Sequence, residues 1–231
     1  KTLSVQVHPD DAYAQMMDPP DLGKTEAWVV VHADTGSLLY AGLKHGTTQK
    51  ELENAIDTDM VADVLNEIEV SDGDCIFIPA GTVHALGEGL VIAEIQQASN
   101  TTFRLFDWNR LGADGKPRDL HVKQSFEVTD FEKGPVRLQK SDRIDDIREV
   151  LVECEQFQLQ RWTVTAGSEF DFHGHDGFQI VSVLEGAVEL ARDPSTSLLN
   201  MGETCLYPAA CTNRRATAVS DSVLLVIQDG G

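Results

Sequence analysis

The fold is decided by the stretch Gly73-Asp74-Cys75-Ile76-Phe77-Ile78-Pro79-Ala80-Gly81-Thr82-Val83-His84-Ala85-Leu86-Gly87-Glu88. A glycine turn opens a short apolar strand, and Pro79 and Gly81 then bend the chain sharply. His84 follows three residues after the bend. This arrangement predicts a small β-barrel in which a rigid corner delivers one imidazole into the lumen.

The rest of the first half also favours short strands. Apolar runs of roughly four to eight residues, separated by Gly, Asp and Pro, are typical of an antiparallel barrel or sandwich. These runs cover residues 3–7, 27–32, 37–40, 75–78 and 90–95.

One segment, at about 47–69, interrupts the strands and is predicted to be a small helical insertion. Thr48 and Glu51 have the spacing of a capping box, and apolar residues then recur at helical spacing. A second helix is predicted to start near Asp59. The apolar positions of the two helices are Leu52, Ala55 and Ile56, then Val61, Val64, Leu65 and Ile68.

The second half contains another set of strands after a charged region. Residues 109–149 have little apolar periodicity and indicate a connection between two units. Strand signals return at residues 157–164, 178–184, 187–190, 204–206, 216–219 and 223–227. We therefore predict a first domain over residues 1–130, a connecting segment over 131–150 and an all-β second domain over 151–231.

The two halves show related motifs. Gly167, the pair His173 and His175, Gln179 and Gly186 follow the spacing of the first cupin motif, with Gln179 in place of its usual glutamate. The second cupin motif is matched in full from Gly73 to His84. Its counterpart at Gly202, Pro208, Ala210 and Asn213 carries alanine for glycine and asparagine for histidine. The chain is therefore predicted to be mostly β, with two cupin-type jelly-roll barrels, the first intact and the second degenerate.

The charge excludes several classes of partner. The 231-residue chain has 18 Lys and Arg against 38 Asp and Glu, a formal charge of −20. This field disfavours nucleic acid and anionic membrane surfaces, and a phosphorylated substrate needs a local cluster of cations. No run reaches membrane-spanning length, no signal pattern opens the chain, and the four cysteines form no Cys-x-x-Cys pair. The scattered cysteines favour a reducing cytoplasm over a disulfide framework. Because the chain opens on Lys1, we expect it either to begin inside a larger protein or to have been trimmed, and the oligomeric state is left open.

A metal site is the main chemical prediction. Gln6 and His8 share one face of a strand, Glu26 opens the next strand, and His84 comes from the bend. Two nitrogens and two oxygens suit Zn²⁺, and the set also accepts Mn²⁺, Fe²⁺ or Co²⁺. Taken alone, His8 is more simply a turn residue and Glu26 a solvated carboxylate. In the second half, Gln179 and Asn213 weaken any site at His173 and His175, so a vestigial pair is favoured.

Charged residues near these ligands suggest an anionic substrate. Arg104 lies between Phe103 and Leu105 on a strand of alternating apolar residues, which favours a wet cavity, although an arginine at the barrel rim also fits. Glu94 follows the bend on the next strand. Lys24, Arg110 and Lys123 can add positive potential nearby.

Four motifs of this chain resemble motifs of a known family and occur in the same order as in that family. They are Leu3-Ser4-Val5-Gln6-Val7-His8-Pro9-Asp10-Asp11, Gly23-Lys24-Thr25-Glu26, Ile78-Pro79-Ala80-Gly81-Thr82-Val83-His84-Ala85 and Thr101-Thr102-Phe103-Arg104. They are similar to motifs of the type I phosphomannose isomerases, the mannose-6-phosphate isomerases of the shorter bacterial kind. The resemblance spans residues 1 to about 130, and beyond residue 150 it extends only to the family's carboxy-terminal cupin. Family members carry a further stretch before the Gln-x-His motif.

The resemblance implies an activity and a set of roles. The family interconverts mannose 6-phosphate and fructose 6-phosphate through a cis-enediol and depends on zinc, one ion per chain. By motif, Gln6, His8, Glu26 and His84 are the expected zinc ligands and Arg104 the active-site arginine. Lys24 and Glu94 are expected to line the pocket.

Two other functions remain open on sequence grounds. A metal-dependent cupin oxygenase usually needs more histidine ligands, and Gln6 argues against it. A non-catalytic sugar-binding cupin would keep the fold without the chemistry, whereas this chain retains Lys24, Glu94 and Arg104 beside its ligand set. For the isomerase, the proton-transfer base is left open between Glu94, a metal-bound water and Lys24.

Overall fold

The computed structural model describes residues 1–112, 115–172, 176–191 and 198–230. The chain divides into two compact units, Lys1–Gln139 and Lys140–Gly231. The predicted connecting segment is thereby shared between them, because residues 131–139 belong to the first unit and 140–150 to the second. None of the described helices is both long and apolar enough to cross a membrane.

The first unit is mostly β, with short helices. Its strands are β1 (Val5–Val7), β2 (Glu26–Ala33), β3 (Leu38–Leu43), β4 (Leu65–Glu69), β5 (Cys75–Ile78), β6 (His84–Leu86), β7 (Leu90–Gln96) and β8 (Phe103–Phe106). Its helices are α1 (Asp11–Gln15), α2 (Gln49–Asp57) and α3 (Val122–Val128), and a single 3₁₀ turn covers Val61–Val64.

The strands of the first unit form two sheets. A five-stranded sheet has the order β4-β3-β6-β1-β8, and a three-stranded sheet has the order β5-β2-β7. One face of the larger sheet shares a core with the smaller sheet through Leu39, Trp28 and Ile76. The other face of the larger sheet packs against the helices. Val5 of β1 and Leu52 of α2 belong to the same hydrophobic core there. Side chains alternate along a strand, so Gln6 faces the smaller sheet.

Of the two helices predicted for the insertion, the structure contains the first. Thr48 caps α2 in a capping box with Glu51, as predicted. The second predicted helix is wrong, because residues 61–64 form one 3₁₀ turn and residues 65–69 form β4. Ile68 of β4 pairs with Leu39 of β3, and this long-range pairing overrides the local helical spacing.

The region predicted to be a connection contains more structure than expected. Helix α3 lies within it, and its Val122 and Phe126 pack against the core beneath the helices. Val136 packs into the core between the two sheets of the first unit. The helix is short and mostly exposed, with Ser125 as its one fully buried residue, so its apolar periodicity is too weak to read.

The second unit is also built from two sheets. A six-stranded sheet has the order β16-β13-β18-β11-β10-β9, and a four-stranded sheet has the order β12-β17-β14-β15. Trp162, Val181 and Val188 belong to the core that they share. The strands are β9 (Asp142–Arg143), β10 (Arg148–Glu153), β11 (Phe157–Val164), β12 (Glu169–Asp171), β13 (Gln179–Glu185), β14 (Ala187–Leu190), β15 (Leu198–Asn200), β16 (Thr204–Tyr207), β17 (Arg215–Ala218) and β18 (Ser222–Asp229). His173 and His175 lie outside the described residues.

Candidate metal centre

The bend after β5 brings two predicted ligands together. Gly81 has φ +82°, a left-handed conformation that favours glycine. Its backbone N–H donates to the carbonyl of His8 at 2.9 Å. The bend therefore ties the end of β1 to the start of β6, where His84 stands.

Strand pairing places further side chains in the same row. Gln6 pairs with His84 on one side and with Arg104 on the other. Paired residues of antiparallel strands present their side chains on the same face. The Gln6 amide nitrogen lies 3.2 Å from Nε2 of His84.

Glu26 completes the cluster from the opposite sheet. Its Oε1 lies 3.2 Å from Nε2 of His8, and its Oε2 lies 3.6 Å from Nε2 of His84. The ligand atoms of these three residues all lie within 4.8 Å of one another, and all three side chains are buried. A single ion bound at about 2.0–2.2 Å from each ligand fits such spacings.

Both imidazoles are oriented by backbone carbonyls. Nδ1 of His84 lies 2.8 Å from the carbonyl oxygen of Thr82, and Nδ1 of His8 lies 3.0 Å from that of Thr101. If each Nδ1 carries the proton and donates it, Nε2 keeps its lone pair. In that tautomer each histidine would have Nε2 free to bind a metal ion beside Glu26.

The cluster also has unsatisfied polar atoms. Nε2 of His8 and both carboxylate oxygens of Glu26 are buried without a hydrogen bond of acceptable geometry to any described residue. Lys24 lies close, with Nζ 2.8 Å from Oε1 of Glu26. Buried polar atoms normally have partners, so this arrangement fits a bound cation.

The protonation states agree with a ligand set. Burial lowers the pKa of His84 to about 4, against the opposing attraction of Glu26. Burial opposes ionisation of Glu26, but His8, His84 and Lys24 outweigh it and hold the pKa of this carboxyl well below its usual range. At neutral pH the site therefore offers a neutral imidazole from His84 and an ionised carboxylate.

Glu94 stands at the edge of the cluster. It lies on β7 opposite Trp28, with Oε1 3.7 Å from Nζ of Lys24 and about a third of its side chain exposed. Burial and the nearby Glu26 raise the pKa of Glu94 to about 7, although Lys24 pulls it down. The structure thus brings Gln6, His8, Lys24, Glu26, His84 and Glu94 together, as the sequence predicted.

Known mannose-6-phosphate isomerases are similar to this chain over most of its length. The chain is 34% identical over 208 residues to the mannose-6-phosphate isomerase ManA of Bacillus subtilis, covering 89% of this chain and 65% of that protein. It is 33% identical to the mannose-6-phosphate isomerase of Streptococcus mutans, covering 89% of this chain and 64% of that protein. The predicted resemblance is confirmed. The chain spans slightly less than two thirds of the length of these mannose-6-phosphate isomerases, and no family model matches it.

Solved structures agree. The crystal structure of the mannose 6-phosphate isomerase from Bacillus subtilis superposes with a TM-score of 0.86 at 28% identity, covering 99% of this chain and 72% of that one. A structure described as a mannosephosphate isomerase of Archaeoglobus fulgidus has a TM-score of 0.76 at 24% identity. The superposition covers all of this chain and 69% of the Archaeoglobus fulgidus chain. At 24% identity the likeness supports the fold alone.

The two other predicted arginines make their hydrogen bonds to residues outside the cluster. Arg104 shares the row of Gln6, but its guanidinium donates to Oγ of Ser4 and to the carbonyl of Asp119. Arg110 binds Asp107 and the carbonyl of Thr2. The roles predicted for these arginines stay predictions.

The structure does not bring Lys123 to the cluster. It lies on α3, is 87% exposed and faces Glu127 across one helical turn. Two open grooves beside α2, of about 870 and 720 Å³, are lined by none of the metal-cluster residues.

The groups that orient the histidines were not predicted from the sequence. They are the carbonyls of Thr82 and Thr101, and every residue carries a carbonyl, so no side-chain pattern marks them. Thr101 does lie within the Thr101-Thr102-Phe103-Arg104 motif, which was a usable signal.

Proposed function

We propose that this chain carries the metal centre of an isomerase that interconverts mannose 6-phosphate and fructose 6-phosphate. The observation that carries the proposal is the convergence of His8, Glu26 and His84 in one buried cluster with Lys24 beside it. The identity to two mannose-6-phosphate isomerases supports the substrate and the reaction.

The ligands we propose are His8, Glu26, His84 and the amide oxygen of Gln6, with one Zn²⁺ per chain. The mixed nitrogen and oxygen set suits zinc and also accepts other divalent first-row metals. When bound, the ion supplies positive charge that polarises the sugar oxygens next to the reacting carbons.

The reaction itself moves hydrogens and leaves the composition of the sugar unchanged. In the direction of fructose 6-phosphate, the C2 proton leaves and a proton is added at C1. The O2–H proton is lost as the C2 carbonyl forms, and O1 gains one. The intermediate is a cis-enediol, so the site has to stabilise negative charge on adjacent oxygens.

Lys24 and Glu94 are placed to handle these protons. Lys24 lies between two carboxylates, 2.8 Å from Glu26 and 3.7 Å from Glu94, which fixes its ammonium group next to the ligand cluster. Glu94 is partly exposed at the edge, where a bound sugar could reach it. We propose that Glu94 carries the proton between C2 and C1 and that Lys24 donates hydrogen bonds to the sugar oxygens.

An anionic substrate also needs cations against the overall charge of −20. Lys24 lies beside the ligand Glu26, and Arg104 pairs with Gln6 on the same strand face, so we propose these two as the binding cations. Arg110 and Lys123 are held by carboxylates elsewhere. The cytoplasm stays the expected compartment.

We also propose that each unit is a cupin-type jelly roll, the first catalytic and the second degenerate. Two sheets share a core in each unit, and the Gly73 to His84 motif supplies a ligand from a bend, which supports this architecture.

The two predicted lysines give a matched test. In a coupled assay of fructose 6-phosphate formed from mannose 6-phosphate by the zinc-loaded chain, Lys24→Met should lower kcat/KM by about 100-fold or more, because a pre-positioned cation is lost. Lys123→Ala should stay within about twofold of the parent chain, since Lys123 is exposed on α3. Equal effects of the two substitutions, or no product from the parent chain, would contradict the proposal.

A further inference from the structure

The two histidines of the cluster depend on very different supports. His84 faces the carbonyl of Thr82, two residues earlier in the same bend. His8 faces the carbonyl of Thr101, which is 93 residues away in sequence. The orientation of His8 therefore depends on a separate segment, residues 97–101, which we call the orienting loop.

The orienting loop contains no strand or helix, and side-chain hydrogen bonds add to the few backbone hydrogen bonds that hold it. Asp21 contributes to them from the segment that leads into β2. Its Oδ2 accepts hydrogen bonds from Oγ1 of Thr101 at 2.6 Å and from Oγ of Ser99 at 3.0 Å. Oγ of Ser99 in turn accepts from the backbone N–H of Thr101 at 3.2 Å. Thr101 is thus held at its hydroxyl and at its amide.

A second set of contacts fixes the other end of the loop. The amide nitrogen of Gln97 donates to Asp11 at 3.1 Å, and its amide oxygen accepts from the backbone N–H of Thr25 at 2.9 Å. Thr25 is the neighbour of Glu26. Both ends of the orienting loop are therefore tied to the segment that carries the carboxylate ligand.

The Asp21 carboxylate acts as the acceptor in its hydrogen bonds with Thr101, Ser99 and the backbone N–H of Leu22. The one from Thr101 contributes most to lowering the pKa of Asp21, together with those from Leu22 and Ser99. An ionised carboxylate has only acceptor sites, and a charge-assisted bond at this distance is stronger than a neutral one.

We propose that Asp21 is a positioning residue for the metal centre, acting through Thr101 to hold His8 with Nε2 towards Glu26. The inference rests on the proposed function in so far as it takes the cluster to bind a cation. Groups that orient a ligating histidine typically change metal affinity by about 10–100-fold when they are removed. Asp21 contacts Thr101 and not His8 itself, so we expect its removal to change metal affinity by an amount near the lower end of that range.

The test is the affinity of the chain for Zn²⁺, measured by competition with a chromophoric chelator, and the visible absorption of the Co²⁺-loaded chain. Asp21→Ala should weaken Zn²⁺ binding about tenfold and alter the Co²⁺ spectrum, because the His8 ring gains freedom. Asp21→Asn keeps an acceptor oxygen for Thr101 and should recover part of the affinity.

A matched control separates this role from a structural one. Asp10 is a carboxylate on the other side of α1, and it caps that helix by accepting from the backbone N–H of Tyr13. Asp10→Ala should lower stability yet leave the Zn²⁺ affinity and the Co²⁺ spectrum unchanged.

Thr101→Val tests the route of the effect. It removes the hydroxyl while keeping the carbonyl, so it should weaken Zn²⁺ binding, and adding Asp21→Ala to it should cost little more. If Asp21→Ala fails to fold, Thr101→Val and Asp21→Asn still decide the matter.

The outcomes distinguish the two claims. Zn²⁺ affinities that are unchanged in the Asp21 and Thr101 variants, beside a zinc-binding parent, would overturn the positioning role and leave the proposed function intact. A parent chain that binds no Zn²⁺ would overturn both.

Discussion

At the scale of single residues, Glu26 shows why the cluster is built as it is. Its side chain is buried, and a buried carboxylate costs several kcal/mol unless cations and hydrogen bonds compensate. Lys24 supplies one positive charge, and both oxygens still lack hydrogen bonds of good geometry to described residues. A bound metal ion would supply the additional positive charge that the buried carboxylate of Glu26 needs.

Asp107 gives a residue-scale prediction away from the metal. Hydrogen bonds from Arg118, together with those from Arg110 and the positive charges of both arginines, lower the pKa of Asp107 to about 2. A carboxyl whose pKa is depressed in the folded state stabilises the fold above its unfolded pKa, and that contribution fades as the pH falls towards 2. Both arginines are partly exposed, which reduces the effect to about 1 kcal/mol.

Urea unfolding at several pH values measures this contribution. Asp107→Asn should lower the free energy of unfolding by about 1 kcal/mol at pH 6, and the gap to the parent chain should narrow progressively below pH 4. Arg118→Gln should reproduce most of the loss. A gap that stays constant from pH 6 to pH 3 would argue against the ion pairs as its cause.

The sequence predicted the members of the cluster better than their supports. Gln6 and His8 were identified by their spacing on one strand face, and His84 by its bend, because both patterns involve side chains at fixed intervals. The Asp21 contact with Thr101 joins residues 80 positions apart with no fixed spacing. Such a pair can be found only once the chain has folded.

At the scale of elements, strands bounded by turn residues were predicted well. The runs at 75–78, 157–164 and 187–190 match β5, β11 and β14 at both ends. The run at 75–78 lies between Asp74 and Pro79, and Gly186 precedes the run at 187–190, so turn residues mark these limits. Strand β4 was misread as helix because its partner β3 lies more than 20 residues earlier.

Helix α2 provides the element-scale prediction. Oγ1 of Thr48 accepts from the backbone N–H of Glu51, and the Glu51 carboxylate accepts from the N–H of Thr48 at 2.7 Å. Thr48→Ala should therefore lower the free energy of unfolding by about 1 kcal/mol. Urea unfolding followed by circular dichroism measures this loss.

The neighbouring Thr47 supplies the control. Thr47→Ala removes the same atoms one position before the cap and should change stability by less than about 0.5 kcal/mol. Zn²⁺ affinity should be unchanged in both variants, since α2 packs on the face of the sheet opposite Gln6. Equal stability of the two variants would show that the capping box contributes nothing.

At the scale of the whole molecule, the two units differ in the charged groups buried in their interiors. In the second unit Arg214 is 2% exposed, and its guanidinium donates to Oε1 of Gln179 at 2.8 Å. It also donates to backbone carbonyls, including those of Gly177 and Cys211. Gln179 is a position where the first cupin motif has glutamate. A buried organic cation beside it leaves less need for a metal there, so we expect one ion per chain.

The most direct measurement is the zinc content of the chain after chelation, reloading and removal of excess metal. We predict about one equivalent in the parent chain, close to none in Glu26→Gln, and about one in the double variant His173→Ala, His175→Ala. Glu26→Gln keeps the size of the side chain and removes its charge, so it tests the cluster with little change in packing. A full equivalent retained by Glu26→Gln, or none in the parent chain, would contradict the account.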